Sequence, residues 1–203
     1  KWFTAEVPGN NFSDLLSHKI IPNPFYGTNE DSLQWVSEKD WVYKSEFTVS
    51  ENELEKENIS LLFYGLDTYS EIYLNDSLLL LTDNMFRKWE VDVKYILKKN
   101  NTLKIIFKSV NEIERQKTQK LGYNLPGGNR VFSRKAAFHY GWDWSPSLKT
   151  SGIWKKVELN YWNDCKISDF HLIQKHLSDI LVQLKIIIEI ESSSEKTINI
   201  LVN

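Results

Sequence analysis

Apolar and polar positions alternate over short runs along most of the chain, with polar turn residues between them. VYKSEFTV (42–49), ISLLFYGL (59–66) and YSEIYLN (69–75) come first, then LLLLT (78–82), KWEVDV (88–93), LKIIFKSV (103–110) and GIWKKVEL (152–159). In several of these one face is apolar and the other wet, as for Ile72 with Leu74, or Trp154 with Val157 and Leu159. That period of two predicts β-strands half-buried against a core. LNDS (74–77) and KKNN (98–101) read as turns between such strands. Regularly spaced short strands with turn signals predict an all-β sandwich.

Three stretches depart from this rule. NNFSDLLSHKII (10–21) predicts one or two helical turns, with Ser13 or Asn11 as the cap before Leu15 and Leu16. NEIERQKTQKLG (111–122) predicts a short surface helix ending at Gly122. SENELEKEN (50–58) reads as a solvated connection. After ELNYWND (158–164) the strand pattern restarts: KISDFHLIQ, DILVQLKIIIEIE and KTINILVN predict three further strands with no helix between them. Three strands cannot close a sandwich. The expectation is a first domain over residues 1–163 and the start of a second, truncated one over 164–203.

Composition narrows the possible functions. A hydrophobic fraction of 41% in 203 residues supports a sizeable core. A net charge of −2, from 25 basic and 27 acidic residues, gives no basic field for nucleic acid. The single cysteine, Cys165, excludes an intrachain disulfide, and beside Ile167 and Phe170 it reads as an inert small hydrophobe. No apolar run reaches the ~18 residues of a membrane span, so no membrane contact is expected. His18, His139, His171 and His176 show no metal-ligand spacing with Cys165 or with clustered acids, so neither metal nor cofactor is expected. Aromatic residues, by contrast, are in excess: eight Trp, nine Tyr and ten Phe.

Much of that excess lies in AFHYGWDWSPSLKTSGIW (137–154), where Asp143 stands between Trp142 and Trp144 in a segment that is neither regular strand nor helix. One reading is a buried turn whose carboxylate is tied down by backbone donors. The other is a sugar pocket, because flat aromatic faces cover C–H surfaces and a carboxylate accepts hydrogen bonds from adjacent hydroxyls. Two more polar and aromatic stretches read as loops: IIPNPFYGTNEDSLQWV (20–36) and DNMFRKWEVDV (83–93), the latter carrying Asn84 and Arg87. Loops on a rigid β scaffold are where binding residues collect. Asn84 and Arg87 are expected to support a loop by tying its carbonyls. His139 is expected to orient the loop or to pack, and Trp144 to support it.

The ordered segments PGNNFSDLLSHKIIPNPFYGTNEDSLQWVSEKDWVYKSEF, GLDTYSEIYLND, DNMFRKWEVDV and SRKAAFHYGWDWSPSLKTSGIWKKVEL resemble the opening domain of β-mannosidases of glycoside hydrolase family 2, over about residues 2–162. The resemblance implies a jelly-roll (galactose-binding-like) sandwich, then an immunoglobulin-like sandwich, then a (β/α)₈ barrel. Relative to the family, about one strand is missing before Lys1. The resemblance further implies retaining hydrolysis of terminal β-mannosides by two barrel glutamates. No catalytic residue is then expected in these 203 residues, and the fragment alone is expected to be inactive. The family's Trp-Asp pair, which contacts sugar in the −1 subsite, corresponds to Trp142 and Asp143. The implied partners are a β-mannoside oligosaccharide or glycoconjugate and the chain's own barrel domain. A free-standing carbohydrate-binding module and the same domain of an exo-β-glucosaminidase, or of another family 2 glycosidase, are the alternatives. The Lys-, Asn- and Ile-rich composition fits a bacterial protein, periplasmic or cytoplasmic.

Overall fold

The computed structural model describes residues 1–141, 145–195 and 197–201. Its strands are β1 (Trp41–Thr48), β2 (Asn58–Phe63), β3 (Leu66–Asp67), β4 (Tyr69–Leu74), β5 (Ser77–Asp83), β6 (Trp89–Asp92), β7 (Asn100–Phe107), β8 (Gly152–Ile153), β9 (Val157–Trp162), β10 (Cys165–Leu177) and β11 (Val182–Ser192). One antiparallel sheet has the order β1-β7-β4-β5 and a second the order β6-β2-β9. The chain passes repeatedly from one sheet to the other, which is how jelly-roll sandwiches are wound. Alternation does the packing. Ile72, Leu74, Ile105 and Phe107 from the first sheet meet Ile59, Leu61 and Phe63 from the second, and all seven are buried.

The turn at Asn75 and Asp76 has φ of 50° and 65°, as a two-residue hairpin needs to follow the strand twist. The Asn75 amide also donates to the Ile96 carbonyl at 3.0 Å, fixing the hairpin to the β6–β7 connection.

Several elements differ from the sequence reading. The first helix, α1 (Asn11–Ser17), is capped by Asn10, not by Asn11 or Ser13. The Asn10 backbone is extended, so its Oδ1 reaches the amides of Phe12 and Ser13, while Ser13 completes a reciprocal capping box. Asn11 instead turns inward and accepts from the Ser151 amide at 2.9 Å. A short helix, α2 (Asn29–Ser32), lies in the 20–36 loop. The connection at 50–58 contains a helical turn, α3 (Glu51–Leu54), held by a Ser50–Glu53 capping box. The surface helix is α4 (Val110–Leu121), closed as expected by left-handed Gly122 at φ 82°.

Two expected strands are each broken in two, at the same place in the sheet. Residues 59–66 divide into β2 and β3, and residues 152–159 into β8 and β9, so that β2 pairs with β9 and β3 with β8. The interruption is Trp154, which leaves the ladder and donates its indole N–H to the Met85 carbonyl at 2.9 Å. Gly65 makes room for the ring. Past β9 the chain turns at Asp164, φ 59°, into the β10–β11 hairpin. Of the three strands expected there, these two form. Residues 197–201 carry no ladder, and 196, 202 and 203 lie outside the described residues.

Candidate functional site

The described residues between Gly128 and Ser151 form 3-10 turns, at Gly128–Phe132 and Ala137–Tyr140, and otherwise irregular backbone. Gly141 ends the second turn in the left-handed region at φ 78°. Trp142, Asp143 and Trp144, the three residues around which the sugar reading was formed, lie outside the described residues. The residues on either side of them in the chain are described.

Below the loop sits a buried charge pair. Lys135 and Asp67 are 6% and 1% exposed, and the Lys135 ammonium lies 2.5 Å and 2.6 Å from the two Asp67 oxygens. The same ammonium donates to the Thr150 carbonyl at 2.7 Å, and the Thr150 hydroxyl donates to Asp67 Oδ2 at 2.6 Å. Thr68 donates to Asp67 Oδ1 at 2.5 Å. Burial pushes the lysine below its ordinary range while the adjacent carboxylate pulls it back up. His139 packs edge-on against Phe138, with Nδ1 4.0 Å from Asp67 Oδ2 and no hydrogen-bond partner among the described residues. Burial, and then the Lys135 charge, bring His139 down to about 4 from 6.5, so its ring is neutral near pH 7.

A second buried acid, Glu114 of α4, holds the other side. It accepts from Tyr140 and from Ser133, each at 2.5 Å, with the Lys149 ammonium 4.0 Å away. Burial and this carboxylate push the Tyr140 phenol well above its usual range. Tyr69 of β4 donates to the Phe132 carbonyl at 2.9 Å.

The three loops singled out by sequence converge here. From the 20–36 loop, Glu30 accepts from the Ser147 amide at 2.6 Å and Gln34 donates to the Ser147 carbonyl at 2.9 Å. Leu148 packs into a second small core with Phe12, Leu15, Ile21, Leu33 and Val36. From the 83–93 loop, the Met85 amide donates to the Arg134 carbonyl at 3.0 Å. Asn84 meets the loop through a backbone bridge to Arg134, while its side chain accepts from the Phe86 amide within its own turn. The Arg87 guanidinium lies 4.3 Å over the Trp89 ring. Sequence reading assigned no role to Lys135, Asp67, Glu114 or Thr150. An acid directly after an apolar strand, as in FYGLDT, was the one available signal for Asp67.

Above these anchors opens a cavity of about 390 Å³ between α1, the 20–36 loop and the 137–150 loop. Phe12, Phe25, Phe138 and Pro146 give it flat apolar walls, and His139 and Thr150 line its polar side. Such a lining, mostly apolar with a few convergent polar groups, suits a small polar-and-C–H ligand. A larger groove of about 760 Å³ runs between residues 1–5 and β1, and of the three stretches only Ile153 of β8 lines it among the described residues. Among the described residues no cluster of acids, histidines and cysteines could hold a metal ion, and no helix is long and apolar enough to cross a membrane.

Comparison with known proteins decides the family. The sequence model described as "Glycosyl hydrolase 2 galactose-binding domain-like" matches residues 1–155. The chain belongs to this family. Its two-sheet sandwich is therefore the galactose-binding-like jelly roll of glycosyl hydrolase 2 proteins. The domain is 36% identical over 170 residues to a β-mannosidase of Rattus norvegicus, a match covering 78% of this chain and 19% of the relative. It is 34% identical over 194 residues to β-mannosidase B of Thermothelomyces thermophilus, covering 91% and 22%. The chain thus spans about a fifth of the length of these relatives. Among solved structures, the β-D-mannosidase of Dictyoglomus thermophilum superposes with a TM-score of 0.91 at 41% identity, covering 95% of this chain and 24% of that one. The exo-chitosanase CsxA of Amycolatopsis orientalis shares the fold, with a TM-score of 0.68 at 16% identity over 94% of this chain and 20% of that one.

Proposed function

We propose that this chain is the N-terminal sugar-binding domain of a longer retaining exo-β-mannosidase. In this reading residues 1–163 form the jelly roll and 164–203 open an immunoglobulin-like domain. The two catalytic glutamates of a double displacement lie in a barrel outside these residues. The 137–151 loop is carried to the rim of the active site, where Trp142 and Asp143 meet the terminal mannose. Asp143 accepts hydrogen bonds from sugar hydroxyls, and Trp142 shapes the wall. Trp144 and His139 support the loop.

The observation that carries the proposal is the contrast in identity between two proteins of the same fold. The likeness is 41% to a β-D-mannosidase and 16% to an exo-chitosanase. The hydrogen bonds that hold the loop's described flanks support it further, since a binding loop is useful only when its geometry is fixed before the ligand arrives. The test is a substrate comparison with the full-length protein. Hydrolysis of an aryl β-mannoside far above that of an aryl β-glucosaminide is expected, with no turnover by the 203-residue chain alone. Preference for the glucosaminide contradicts the proposal, and a full-length protein that binds mannosides without cleaving them makes the domain a binding module.

A further inference from the structure

The most strongly built feature around the loop is not an aromatic but the charge pair beneath it. Lys135 precedes the Trp142–Trp144 stretch and Thr150 follows it, so the two residues are the stems of one loop. Asp67 holds both, taking the Lys135 ammonium on two oxygens and the Thr150 hydroxyl on one of them. Lys135 also donates across to the Thr150 carbonyl, closing the stems on each other directly. Asp67 itself ends β3, whose ladder partner Gly152 stands just beyond the second stem. The acid is therefore fixed to the scaffold, and the loop is fixed to the acid.

Elsewhere the loop's hydrogen bonds reach only one side of it: Ser147 to Glu30 and Gln34, and Tyr140 and Ser133 to Glu114. Among these the Asp67 carboxylate alone accepts a hydrogen bond from each stem; Glu114 accepts from Ser133 and Tyr140 on the first side and meets the second only through the Lys149 ammonium 4.0 Å away. A buried ion pair is a weak source of stability, because desolvation of two charges offsets much of their attraction, and it is replaced by neutral side chains at little cost. Its contribution is geometric: two charges desolvated together tolerate one arrangement.

The geometry points to Asp67–Lys135 as a positioning pair, a staple that sets the loop carrying Trp142 and Asp143 for reaction without touching substrate. This inference rests on the reading of that loop as the sugar-binding element. Its expected signature is a loss of rate without a loss of fold, since a displacement of about 1 Å at a reacting geometry costs on the order of 100-fold.

The experiment uses the full-length enzyme with the double substitution Asp67→Asn/Lys135→Met, which removes both charges together, and Asp143→Ala in parallel. The double variant is expected to melt close to the wild type, within about 3 °C, as replaced buried pairs do. Its kcat/KM on an aryl β-mannoside is expected to fall about 10- to 100-fold, mostly in kcat. Amide exchange over 137–149 is expected to rise at least about tenfold. Wild-type exchange in that segment, or wild-type kcat/KM while Asp143→Ala is impaired, overturns the staple. Unimpaired Asp143→Ala overturns the sugar-binding reading instead, and the exchange arm still reports on the staple. Should the double variant not fold, Thr150→Val removes one donor from Asp67 without charge. Faster exchange at 137–149 then supports the inference and unchanged exchange refutes it.

Discussion

His139 offers a test of how tightly the loop is seated that needs no substrate. Its ring is largely buried, with 14% of the side chain exposed, against Phe138 and beside Lys135. Burial and the neighbouring ammonium hold it near 4, against 6.5 in the unfolded chain. Because the folded value is the lower one, the unfolded chain binds more protons between those values. Stability is then fully present above about pH 6.5 and declines as the pH falls towards 4. With those two values the loss between pH 7.5 and pH 5 is up to about 2 kcal/mol, saturating near 3 kcal/mol below pH 4. The pH 5 point is the useful one, since carboxylates with ordinary or lowered values are still ionised there. Urea unfolding of the 203-residue chain at pH 7.5 and pH 5, for the wild type and for His139→Gln, isolates the contribution as a difference of differences. The variant is expected to lose less stability on acidification by about that amount. Equal losses in the two proteins would show that the ring is protonated in the folded chain, and that its burial beside Lys135 is wrong.

Two further predictions concern the scaffold that carries the loop. Gly65→Ala would place a methyl 2.4 Å from the Trp154 indole nitrogen, forcing the ring off the Met85 carbonyl; a cost of about 1–3 kcal/mol is expected as a fall in Tm of roughly 2–4 °C per kcal/mol, and an unchanged Tm refutes the contact. Asn10→Ala removes the acceptor for the Phe12 and Ser13 amides at the start of α1 and should cost about 0.5–2 kcal/mol in chemical denaturation, with Asn10→Asp near wild type; equal losses in both variants would deny the cap.

The strands of the sandwich were legible because their residues obey a period of two that burial enforces on one face. YSEIYLN and LLLLT became β4 and β5 nearly as read, while the strand read at 103–110 lies three residues earlier, as β7. Where a single tertiary contact overrides the period, sequence reading failed. Nothing local in GIWKKVEL announces that Trp154 will leave the ladder, because its partner is a carbonyl 69 residues away. The α1 cap was read as Ser13 or Asn11 and is Asn10; Asn10 and Asn11 are equivalent as sequence, and only the inward bond to Ser151 separates their roles. The convergence of three loops was legible as an excess of polar and aromatic residues outside the strands. Their anchors were not. Asp67, Glu114 and Lys135 are charged residues whose partners are distant in sequence, and period and composition both assign such residues to the surface.

The central claim is that the loop over this buried anchor presents Asp143 to a sugar. A charged acceptor facing a neutral hydroxyl is worth roughly 1.5–3 kcal/mol. The decisive measurement is kcat/KM of full-length Asp143→Ala on an aryl β-mannoside, taken together with its Tm. A fall of about 10- to 150-fold at a wild-type melting temperature is the predicted result. A collapsed melting temperature, with normal kcat/KM in the enzyme that still folds, would make Asp143 a turn residue and contradict the account.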